Sequence, residues 1–186
     1  MSGEARPVGA EGQTGALRTM LKSQYHASLA MLREAIELCP DATWEADGHT
    51  NAPWQLAYHA LFFAHFYLQP NEAAFRPWPG HQAQVQNPDG IGGPPEPGNP
   101  LPVTPDPYSK SQALEYWSFC DALVDSAVDA LDLWSPESGF PWYPIPKLEH
   151  QLVNLRHIQH HMAQLADRVR ATRNLGVRWA GARRAS

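Results

Sequence analysis

The segment PWQLAYHALFFAHFYL, residues 53–68, constrains the fold more than any other stretch. Its apolar residues run around the whole helical circumference instead of along one stripe, so a helix made of it must be covered on most sides by other elements. No stretch of the chain reaches about 18 uninterrupted apolar residues, so the segment reads as the interior of a protein and not as a membrane span.

Three further segments carry helical periodicity and can supply that cover. Leu17, Leu21, Tyr25, Leu29, Leu32 and Ile36 recur at steps of four and three, with Thr14 as a cap and Pro40 as a stop. The apolar segment itself starts near Thr50 or Asn51, either of which can cap, and Pro53 is tolerated because it falls in the first turn. Ser109 with Gln112 makes a capping box, followed by Leu114, Trp117, Cys120, Val124, Val128 and Leu131. The same segment carries Asp121, Asp125, Asp129 and Asp132, one row of which should face water. Pro136 ends that helix, and GFPWYPIP leads to Pro146 or Lys147, where the last helix opens. Leu148, Leu152, Leu155, Met162, Leu165 and Val169 are its expected apolar face, ending before Gly176. Nothing alternates with period two for long enough to propose a sheet. The chain reads as all-α, a four-helix bundle with a long Pro-rich crossover between helices two and three.

That crossover, about residues 69–108, has neither helical nor strand period, and a connection of such length is uncommon unless it spans the bundle or serves a function. Phe75, Trp78, Ile91, Leu101 and Val103 give it apolar anchors, so an ordered path is expected, and PDGIGG within it reads as a turn. The resulting organisation is a flexible N-terminus over 1–13, a helical domain over 14–174 and a basic tail over 175–186.

Charge narrows the partners. The net charge of −5 offers no field for nucleic acid or an anionic membrane. The tail is the exception, since Arg168, Arg170, Arg173, Arg178, Arg183 and Arg184 follow the last acid, Asp167. Arginines favour a helix C-terminus, and a solvated tail accounts for the rest. The N-terminal residues carry no apolar leader, and Cys39 and Cys120 lack paired spacing, so a cytoplasmic protein with reduced thiols is expected. There is no G-x-S-x-G, phosphate-binding glycine loop or H-E-x-x-H.

Chemistry gathers in LRHIQHHMAQL, residues 155–165. Residues four apart on a helix stack on one face, so His157 and His161 can converge on one ion. His160 lies about 100° from His161 around the axis and reads as a flanking or surface residue. A catalytic site normally has three protein ligands, and the candidates for the third are His26, His59, His65 and His150. His59 is the best placed, in the middle of the apolar segment beside Phe62, Phe63 and Phe66; His65, about 240° away, would need another partner.

With those residues in view, HIQHHMAQL (157–165) resembles the H-x-x-H-H-x-x-Q-L signature of the DinB-like (DinB/YfiT) superfamily, and WQLAYHALFFAHFYL (54–68) is similar to that family's second helix. The resemblance covers residues 14–174 and implies up-down-down-up topology around one divalent metal, commonly zinc or nickel, held by His59, His157 and His161. Gln164 would stand behind the ligands, and His160, His150 and Phe63 are further pocket candidates. Met162 departs from the arginine that often follows the last ligand, and the crossover is longer and more aromatic than usual. The resemblance implies a metal-dependent transferase or hydrolase acting with a low-molecular-weight thiol such as bacillithiol or mycothiol, the metal presenting a thiolate to an electrophile.

No residue declares itself a general base; Asp121, Asp125 and Glu149 can each serve or can simply be solvated charges. The competing reading is a non-catalytic metal-binding or interaction module, its site closed by a fourth ligand such as His150, His26 or Glu149. In that case Trp78, Trp142 and Tyr143 would form a partner surface rather than roof the pocket. On either reading a homodimer is the expected assembly, since bundles with exposed helix faces often pair. If no metal binds, His59 must be hydrogen-bonded in the core.

Overall fold

A computed structural model describes residues 9–82, 85–86 and 106–182. The described residues form helices without strands: α1 (Gly9–Leu38), α2 (Asp41–Trp44), α3 (Pro53–Tyr67), a 3-10 turn (Glu72–Ala74), α4 (Lys110–Ala130) and α5 (Lys147–Arg173). The turn at PDGIGG and the anchors Ile91, Leu101 and Val103 lie outside the described residues, as do the first eight residues and Arg183 and Arg184.

As its composition demands, α3 is buried around its circumference, with Trp54, Leu56, Tyr58, Leu61, Phe62, His65, Phe66 and Tyr67 all covered. It packs against α4 and α5, and α1 packs against the same two helices. Pro53 takes the first helical position, where its missing N–H costs nothing. The cap is not Thr50 or Asn51: the Gln55 side chain accepts from the backbone N–H of Ala52 at 2.7 Å. Ser109 and Gln112 do form the expected capping box, Ser109 N–H donating to Gln112 Oε1 at 2.9 Å.

Helix α1 is already formed at Gly9, before Thr14, and no proline interrupts the intervening residues. The Thr14 hydroxyl accepts instead from the Trp134 indole at 2.8 Å. Short helix α2 had no sequence signature; Trp44 anchors it by donating its indole N–H to the Tyr108 carbonyl at 2.7 Å.

Helix α5 departs most from expectation. Leu152 is 51% exposed and Leu148 and Leu155 only half-buried, whereas Lys147, His150, Gln151 and Asn154 face the interior. Three of them, Lys147, Gln151 and Asn154, answer carbonyls along the C-terminal half of α3, just past it and at Ser138. Lys147 Nζ donates to Pro70 O at 2.7 Å and also to Ser138 O. Gln151 Nε2 donates to Tyr67 O and Asn154 Nδ2 to Ala64 O, each at 3.2 Å. Residue numbers fall on one side of this ladder as they rise on the other, so it sets the register of α5 on α3. The apolar seam resumes at Ile158, Met162, Leu165 and Val169.

Crossover and tail are both held. Trp78 is buried and stacks on Tyr116 at 4.7 Å, so it belongs to the core and neither roofs the histidines nor offers a partner surface. Tyr108 Oη donates to Gly80 O and accepts from Gln82 N–H, both at 2.7 Å. Far from being solvated throughout, the tail lies back on α1, with Arg178 on Glu34 at 3.0 Å and Gln24 donating to Gly181 O at 3.0 Å. Arg168 meets Asp47 at 3.2 Å, and Arg173 donates to Leu38 O at 3.0 Å.

Candidate metal centre

The α3–α5 register sets His59 opposite His157 and His161. His59 Nε2 lies 3.0 Å from His157 Nε2, and His161 Nε2 lies 3.2 Å from the same atom. One donor atom from each histidine falls within 4.8 Å of the others, the sole such group among the described residues. A tetrahedral ion with Zn–N of about 2.0–2.1 Å separates its nitrogens by about 3.3 Å, so these side chains need little movement to hold one.

The outward nitrogens decide what the inward ones can do. His59 Nδ1 is 2.5 Å from Gln86 O, and a carbonyl only accepts, so Nδ1 carries the proton and Nε2 keeps its lone pair. His161 Nδ1 is likewise 2.8 Å from Gln164 Oε1, which turns another lone pair inward. Burial lowers the pKa of His157 to about 3, helped by His59, His161 and His160, so this ring stays neutral. Two lone pairs therefore meet a third imidazole nitrogen, and a cation satisfies all three at once. The donor set fits a borderline ion such as zinc or nickel.

Around the ligands, Phe63 packs on His59 at 4.8 Å and on His157 at 5.2 Å, an apolar wall that excludes water. His160 is exposed, its ring against His161 at 4.8 Å, the flanking place its helical angle predicts. Gln86 was invisible to sequence reasoning, because its contribution is a backbone carbonyl delivered by the crossover.

Comparison with protein-family models, curated proteins and solved structures finds no match to this chain.

The remaining candidates lie outside the convergent group. His65 hydrogen-bonds Tyr116 Oη at 3.1 Å, and burial lowers its pKa to about 4. On the α1–α4 edge, His26 lies 2.6 Å from Asp121 and 3.2 Å from Asp125, so these acids serve it rather than acting as bases at the centre. A groove of about 830 Å³ lined by His26, Trp117, Asp121 and Trp179 belongs to that edge too, away from the centre. Glu149 is exposed. His150, fully buried among Tyr67, Phe140 and Tyr143, is outside the convergent group; burial and the nearby Lys147 lower its pKa to about 4. Tyr143 packs on Tyr67 and His150, while Trp142 is half-exposed over Phe66. Cys39 and Cys120 are free and buried, and no described helix is long and apolar enough to cross a membrane.

Proposed function

We propose that this protein belongs to the DinB-like superfamily, binds one zinc or nickel ion through His59, His157 and His161, and transfers a low-molecular-weight thiol to an electrophilic substrate. The observation that carries the reading is the convergence of three imidazole Nε2 atoms from two helices, two of them turned inward as lone pairs by Gln86 and Gln164. Up-down-down-up topology belongs to the same proposal. In its favour, contacts between α1 and α4 pair rising with falling numbers, Lys22 with Asp129 and Trp117 with Leu29. Those between α1 and α5 rise together, Tyr25 with Gln151 and Leu38 with Arg173.

A metal at this centre supplies Lewis acidity, lowering the pKa of a bound thiol or water. The chain's own residues do the rest. Gln86 and Gln164 fix ring orientation, Phe63 keeps water from one side, and the half-buried ligands leave the centre open to a small molecule. The closed structural site is disfavoured because His26 and Glu149 lie elsewhere and His150 is outside the convergent group.

Elemental analysis of tag-free protein tests the reading beside the double variant His157→Ala/His161→Ala. About one equivalent of zinc or nickel is expected in the wild type and none in the variant. A wild-type protein that takes up neither added ion refutes it. Thiol-transfer assays on the loaded protein then test the chemistry.

A further inference from the structure

Four buried polar atoms along one face of α5 have no hydrogen-bond partner among the protein's described groups: Nδ1 and Nε2 of His150, Oδ1 of Asn154 and Nδ1 of His157. Positions 150, 154 and 157 follow the spacing of four and three that stacks side chains on one helix face. Tyr67 touches both ends of the row, its ring centroid 4.7 Å from His150 and 6.5 Å from His157. His150 and Asn154 are fully buried, so bulk water cannot serve them. Buried polar atoms are nearly always paired, and where side chains do not suffice an ordered water with two to four polar contacts does so.

The chemistry of His157 says what kind of partner its Nδ1 needs. With a proton on Nε2, facing His59 and His161, Nδ1 is an acceptor and requires a donor. With a cation there instead, the ring's proton sits on Nδ1 and requires an acceptor. Asn154 Oδ1 can only accept, whereas water and the His150 imidazole can do either.

We infer that His150, Asn154 and a water bound between them form a buried relay that grips His157 by Nδ1 and positions its Nε2 toward His59 and His161. As positioning residues, His150 and Asn154 act on the centre through His157; their link to metal affinity rests on the function proposed above. Groups of this kind behind a metal ligand typically change affinity 10- to 100-fold.

The test uses the full chain labelled with ¹⁵N-histidine, first treated with chelator and then titrated with zinc alone. His150→Phe fits the aromatic cage of Tyr67, Phe140 and Tyr143, so it is expected to fold, as circular dichroism will check. The expected result is a shift of the His157 ring-nitrogen signals before zinc is added, with His26 unmoved, and a 10- to 100-fold weaker zinc affinity. Asn154→Leu should do the same but also loses the bond to Ala64 O, so it is read against Asn154→Asp, which loses that bond too yet keeps an acceptor oxygen and should recover most of the affinity and the wild-type His157 signals. Should one variant fail to fold, the others decide. Unchanged His157 signals in folded His150→Phe or Asn154→Leu overturn the relay, whatever zinc does. If the wild type binds no zinc but its His157 signals still move in the variants, the relay stands and the metal reading falls.

Discussion

Replacing Gln151 by leucine tests the buried ladder that aligns α5 with α3. Gln151 is fully buried and makes two bonds: its Nε2 donates to Tyr67 O at 3.2 Å, and its Oε1 accepts from the Tyr25 hydroxyl at 2.8 Å. Leucine leaves a carbonyl and a hydroxyl buried, at about 1–3 kcal/mol each, while its own apolar burial returns about 1.5–3 kcal/mol. The hydroxyl keeps a long contact, 3.4 Å, to the Gln151 carbonyl, and the side chain of Asn154 beside it. Taking the middle of each range, a net loss of about 2 kcal/mol follows, and for a chain of this size each kcal/mol lowers Tm by about 2–4 °C, so a fall of about 4–8 °C is expected. Thermal and urea unfolding in the presence of chelator measure it without metal linkage. Tyr25→Phe combined with Gln151→Leu should cost less than the sum of the single variants, because both partners of one bond are then gone. A Gln151→Leu variant as stable as the wild type would refute the ladder's contribution to stability, and strictly additive effects would refute the Tyr25–Gln151 bond that ties α5 to α1.

Three further outcomes are expected. Zinc at about 100 times its Kd should add about 2.7 kcal/mol to stability in the wild type and nothing in His157→Ala, read by thermal shift; equal gains in both would show non-specific binding. His65 and His150 have folded pKa values of about 4 against 6.5 in the unfolded chain, which therefore binds more protons between those values. Their contribution to stability is complete above pH 6.5 and is lost as pH falls toward 4; urea unfolding across that range should show a shallower slope in His65→Phe, and an unchanged slope would contradict the assignment. Gly139 has φ +84° and a Cβ there would overlap Pro70 O, the acceptor of Lys147, so Gly139→Ala should cost about 2 kcal/mol or more in urea unfolding; a neutral result would count against the packing of this turn.

The candidate ligands were legible because their signals are local. His157 and His161 are one turn apart, Gln164 follows His161 by three, and His59 sits among phenylalanines that had to be buried. Gln86 was not legible, since any residue type can present a backbone carbonyl. Nor was the inner face of α5, where hydropathy points to Leu148, Leu152 and Leu155, yet the interior receives Lys147, Gln151 and Asn154. Hydropathy counts such groups as surface residues; here the carbonyls at 64, 67, 70 and 138 compensate their desolvation.

By itself the sequence determined that four long helices form, that α3 must be enclosed, and that two histidines share a turn of α5, since periodicity and spacing act within one segment. Tertiary structure alone decided which face of α5 turns inward, which crossover carbonyl orients His59, and how far apart the three nitrogens stand. These depend on where distant backbone acceptors lie once the helices have packed, and no single segment encodes that.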